Sequence, residues 1–159
     1  MIVISRSSIV AVAAIVGLLL SSDLVVRLAG AHEGAKGVVK QRIVAMSDLG
    51  KASKTMIEMF KGQRKFDPAM VAQLARDIAV HADKLPAMFP KGSDGHPSET
   101  LPSAWTDRAG FVKAFSALKV EATKLADLAP TATQREAMVQ FFKMSRTCTA
   151  CHTNYRKVK

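Results

Sequence analysis

All six prolines of this chain fall at positions 68, 86, 90, 97, 102 and 130. Proline breaks a helix interior, so their placement confines long helices to the stretches between them. Each stretch carries apolar residues at steps of three and four. The first, about Val38 to Lys61, presents Ile43, Met46, Gly50, Ser53, Ile57 and Phe60 on one face. Gly62 ends it, with Lys61 and Arg64 near the negative end of the helix dipole. Asp67-Pro68 opens the second with a capping carboxylate and a proline at the first helical position. Val71, Leu74, Ile78, His81 and Leu85 share its face, and Pro86 stops it. Residues 86–104 hold four of the prolines and two glycines and read as one long surface loop. Ser103 is the expected cap of a third helix, about Ala104 to Leu128, with Phe111, Phe115, Leu118, Leu125 and Leu128 inward. Thr131 and Gln134 form the expected capping box of a fourth, running toward Tyr155. No window alternates as a strand does, and no internal repeat is present. The pattern predicts an all-α antiparallel four-helix bundle.

The N-terminal part is of another kind. Arg6 precedes an unbroken apolar run of twelve residues, Ile9 to Leu20, short of the roughly 20 that a membrane-spanning helix needs. Ala29-Gly30-Ala31 supplies a small-x-small cleavage site. Residues 1–31 are therefore expected to be a secretory leader, and 32–159 the mature domain. The charged stretch Asp23 to Leu28 leaves a retained anchor as the alternative. Export places the domain in an oxidising compartment, the bacterial periplasm, with no stable membrane association after cleavage.

Composition narrows the remainder. A hydrophobic fraction of 48% with 6% aromatics excludes disorder and fits a core of Ala, Val, Leu and Met. The net charge is +10, and the mature chain keeps 21 basic and 12 acidic residues, or +9. Such a charge steers a protein toward an acidic partner, or serves only solubility. No long basic run argues for nucleic acid.

Both cysteines fall in Cys148-Thr149-Ala150-Cys151-His152, the C-x-x-C-H attachment motif of a c-type haem. Each thiol adds across one porphyrin vinyl group to give a thioether. On a helix the two cysteines and the histidine share a face, which sets the imidazole beneath the iron. The other readings fit less well. A thioredoxin-like C-x-x-C opens a helix after a strand, zinc needs a fourth ligand, and a disulfide over three residues of one helix staples nothing. One covalent haem c is expected.

For the opposite axial position the candidate is Met46, on the expected inward face of the first helix, with Met56 and Met59 as outsiders. The plain alternative is a core-filling side chain. Gly50, one turn on, fits a crowded site, since helical glycine costs about 1 kcal/mol against alanine.

The chain resembles the class II c-type cytochromes, the cytochrome c′ family, over residues 36–159. The likeness rests on Cys148-Thr-Ala-Cys-His-Thr-Asn-Tyr-Arg156 and Arg42-Ile-Val-Ala-Met46. Leu85-Pro-Ala-Met-Phe-Pro90 and Leu101-Pro-Ser-Ala-Trp105 add to it. It implies haem attachment at Cys148 and Cys151, with His152 as proximal ligand. Five-coordinate members carry an apolar, non-ligating residue at the position of Met46 and bind nitric oxide or carbon monoxide. Low-spin members carry a ligating methionine there. Met46 therefore implies the low-spin His/Met subgroup. By the same resemblance Arg42 lies near a haem propionate and Arg156 beside the proximal histidine. Their plain alternatives are a solvated arginine and a helix-dipole partner.

The function expected from these residues is a periplasmic electron carrier rather than an enzyme, with an acidic redox partner. The alternative is a five-coordinate protein that binds nitric oxide or carbon monoxide. A haem-free helical binding module is a distant third. By resemblance, helices one and two supply a homodimer face. His81 reads as a core or boundary residue, His96 as an exposed loop residue, and Trp105 as packing at the loop junction. His32, at the new N-terminus, is a minor candidate copper ligand.

Overall fold

A computed structural model describes residues 35–157. The expected leader, its cleavage site and His32 lie outside them. Four long helices form the body: α1 (Gly37–Phe60), α2 (Pro68–Lys84), α4 (Arg108–Leu128) and α5 (Gln134–Tyr155), with a one-turn helix, α3 (Ser103–Thr106), before α4. No strand occurs among the described residues, and no helix there is long and apolar enough to cross a membrane. The short connections 61–67 and 129–133 turn the chain back on itself, as an antiparallel bundle requires. α2 packs on α4 and α4 on α5, whereas α1 meets α5 over a much smaller area.

The register of α1 differs from the expected one by one residue. Ala45, Met56 and Met59 are buried, with Leu49 and Ala52 against the core, while Gly50 and Ile57 face solvent. Two stripes of helical spacing run side by side here. The buried one carries alanines, which let α1 approach its neighbours closely, and methionines that fill the depth. A Cβ on Gly50 would meet nothing within 4 Å, so crowding within the chain does not account for that glycine.

Asp67 caps α2 as its sequence indicates, Oδ1 accepting from the Met70 amide at 3.0 Å. After Lys84 the chain tightens into a 3₁₀ turn, Leu85–Met88. Pro86 sits in its first turn, where no amide hydrogen is needed.

The third and fourth caps are corrections. Asp107 breaks the expected third helix and caps α4, its Oδ1 accepting from the Gly110 amide at 3.1 Å. Ser103 begins α3 instead, and its hydroxyl donates to the Asn154 carbonyl at 2.7 Å. Leu128 is exposed at the end of α4. The capping box of α5 is Thr133 with Glu136: the Thr133 amide donates to Glu136 Oε2 at 2.8 Å, and the Glu136 amide to Thr133 Oγ1 at 3.3 Å. Thr131 belongs to the turn closing α4, where its amide bonds the Leu128 carbonyl.

The Tyr155 hydroxyl donates to Asp107 Oδ2 at 2.6 Å, tying the end of α5 to the start of α4. A Cβ on Gly110 would run into both the Asp107 carboxylate and that hydroxyl. Gly110→Ala is therefore expected to destabilise the protein by about 1–3 kcal/mol, the usual cost of overpacking, as read from urea unfolding. The same pair gives a pH signature. Its hydrogen bond holds the Asp107 carboxyl below its ordinary value and raises Tyr155 to about 12. The stabilisation from Asp107 is present above its unfolded pKa and is lost as pH falls through the depressed one. That from Tyr155 is present below about 10 and fades toward about 12. Thermal melts across pH should show both slopes weakened in Tyr155→Phe.

Candidate haem site

Cys148 and Cys151 stand one turn apart in the last part of α5, both free thiols and both half-buried. They pack against the main apolar cluster, and so does Met46 of α1, also half-buried. The two thiols and the thioether thus share the rim of one core. Burial pushes the Cys148 thiol up. Cys151 rises to about 11 through burial and, secondarily, the neighbouring Cys148. His152 lies at the surface of the last turn. The protein around it and then the Arg156 charge hold its imidazole below the ordinary value. A neutral imidazole keeps the lone pair that a metal ligand needs.

This donor set fits a covalent haem c: two thiols and a neutral imidazole on one helical face, beside an apolar wall. It does not fit the rival chemistries. The C-x-x-C closes a helix rather than opening one, and among the described residues no three His, Cys, Asp or Glu side chains converge as a metal-ion site.

Met56 and Met59 are fully buried toward the far end of α1, where Phe60 packs on Phe141. They fill the core two and more turns from Met46. His81 is half-buried and His96 exposed. Trp105 joins the loop to α3, its indole N–H shared between the carbonyls of Phe89 at 3.1 Å and Pro90 at 2.9 Å.

Arg42 is not a solvated surface arginine: it is 3% exposed. Its guanidinium donates to Ser93 Oγ at 2.9 Å, the Ser93 carbonyl at 2.5 Å and Ser98 Oγ at 2.5 Å. It also lies over the Phe89 ring, 4.7 Å from the centroid. Burial lowers its pKa, and Asp94 partly offsets this. Arg156 is likewise more than a dipole partner. It donates to Glu99 Oε2 at 3.0 and 3.2 Å. Around that pair the Leu101 amide bonds the Tyr155 carbonyl at 2.9 Å and the Lys157 amide the Glu99 carbonyl at 2.8 Å.

Ser93, Ser98 and Glu99 are absent from the site drawn from sequence. No spacing rule links a serine in a proline-glycine loop to an arginine some fifty residues earlier. The available signal was Arg42 itself, a cation one turn from Met46 on a helix whose face turns inward.

The family model of the cytochrome c′ family matches residues 37–156. The chain belongs to that family. Proteins of the family carry covalently bound haem c. Cytochrome c′ of Rhodopseudomonas palustris is 32% identical over 139 residues, covering 87% of this chain and 94% of the relative. Cytochrome c-556 of Agrobacterium fabrum is 29% identical over 131 residues, 79% and 84% of the two chains. The solved Rhodopseudomonas palustris cytochrome c′ superposes with a TM-score of 0.73 at 31% identity, covering 79% and 99%. A nitric oxide complex of a leucine-to-alanine variant of cytochrome c′ from Alcaligenes xylosoxidans superposes with a TM-score of 0.69 at 26% identity, covering 77% and 94%. Membership supports the haem class and the bundle. It does not support the narrower His/Met subgroup expected from Met46.

Proposed function

We propose that the chain is an exported, single-haem cytochrome c′ that binds a small diatomic gas, nitric oxide or carbon monoxide, at the sixth position of its iron. The observation that carries the haem is the pair of half-buried thiols with the following imidazole on the last turns of α5. The sixth-position reading rests on membership of the cytochrome c′ family. Cys148 and Cys151 would hold the haem and His152 would supply its imidazole ligand, with Met46 of α1 packed against the same apolar cluster as the two thiols. The haem supplies a one-electron iron centre and, where the sixth site is open, a gas-binding position. The chain's own residues fix its place: α5 anchors and orients it, and the apolar rim keeps bulk water from it. Arg156 beside His152 disfavours a second positive charge on the imidazole. Gas binding is supported by the cytochrome c′ relatives and by the nitric oxide complex of a related variant.

One observation favours a second reading. Residue 46 is a methionine, and a thioether that reached the iron would give a His/Met electron carrier. Its partner would be an acidic redox protein, met through the net positive charge. The expected leader and the family together support a periplasmic location.

Carbon monoxide titration of the purified ferrous protein separates the two readings. The gas-binding reading predicts a five-coordinate, high-spin ferrous spectrum that saturates readily with carbon monoxide. A low-spin spectrum indifferent to the gas rules that reading out in favour of the carrier.

A further inference from the structure

Nine residues of the long loop reach both sides of the site. At one end Ser93 and Ser98 hold the buried Arg42 of α1, one turn before Met46. Ser93 Oγ also donates to the Pro90 carbonyl at 2.7 Å, and Ser98 Oγ accepts from the Thr100 amide at 3.2 Å. The anchoring hydroxyls are thus themselves held in place. At the other end Glu99 and Leu101 pair with residues 155–157, one turn after His152. Meanwhile α1 and α5 touch each other over little area. Their spacing near Met46 and Cys148 therefore depends on what else joins them.

We propose that residues 93–101 act as a strut that sets the distance of Met46 from the haem iron. Arg42, Ser93, Ser98 and Glu99 are its positioning residues. The inference rests on the haem reading above, and on either state of Met46 it predicts the same direction. Loosening the strut lets α1 move out and takes the thioether away from the sixth position.

The test uses the purified holoprotein, with the carbon monoxide association rate and the spin state of the iron as readouts. Ser98→Ala removes one acceptor of Arg42, and Glu99→Gln removes the ion pair at the far end. Glu99→Gln is not expected to unfold the chain, because exposed pairs contribute little to stability. Each variant should raise the association rate about three- to tenfold, within the usual range for coupling through contacts. Ser98→Thr, which keeps the hydroxyl, should behave as the parent. So should Asp83→Asn, which breaks a surface pair with Lys119 between α2 and α4. In a Met46→Ala background neither strut variant should have any further effect. Rates within about twofold of the parent for both variants overturn the strut, as does an effect that persists without Met46. Absence of any haem spectrum overturns the haem reading itself, and the strut with it.

Discussion

Alanine at both Cys148 and Cys151 is expected to abolish covalent haem and to leave the bundle folded. Both thiols lie at the rim of the core rather than in its depth. Each Cys→Ala change thus removes one half-buried sulfur, at about 1 kcal/mol or less of transfer free energy. Helix α5 keeps its capping box at the other end. The helical circular dichroism should therefore persist, while the haem is lost on acidified-solvent extraction. Each single variant should retain one thioether, with an altered ferrous band. Haem that stays covalently attached to the double variant would contradict the assignment of both thiols.

Truncation of Met46 has the second large effect, and Met46→Leu is the volume-matched control against which it is read. Leucine and methionine have nearly equal volume, so the packing cost stays below about 1.5 kcal/mol. Any change at the iron then reports the thioether. The gas-binding reading predicts a ferric spectrum that remains high-spin, with carbon monoxide affinity close to the parent's. Met46→Ala, by contrast, opens the distal side and should strengthen binding about tenfold, equivalent to about 1.4 kcal/mol. Conversion of a low-spin parent into a high-spin Met46→Leu variant would establish the carrier reading instead.

Much of this molecule is legible in its residues, for identifiable reasons. The four long helices follow from proline placement, and Asp67-Pro68 is a local start signal that long-range packing does not disturb. Cys148, Cys151 and His152 stand out in the sequence because the attachment chemistry proposed for them demands that spacing within one helix, and the structure places all three on the last turns of α5. Apart from the capping box of α5, the differences share a cause: each depends on residues distant in sequence. The face of α1 was ambiguous because two stripes of helical spacing adjoin, and only packing against other helices selects Ala45, Met56 and Met59. The break at Asp107 is supported by Tyr155, forty-eight positions on. The caps at residues 131 and 133 both satisfy the local rule, and Glu136 decides between them. Arg42 is expected by resemblance near a haem propionate, and its burial excludes only the solvated alternative. Its observed partners are nevertheless serines of a loop whose composition announced only a turn.

Everything proposed for the sixth position depends on one haem held covalently through Cys148 and Cys151. The most direct test is the intact mass of the purified, denatured protein, read beside its reduced absorption spectrum. Covalent attachment predicts a mass equal to the polypeptide plus one haem, with the ferrous bands of a thioether-bound porphyrin. A mass equal to the bare polypeptide, from cells competent in haem attachment, would contradict it.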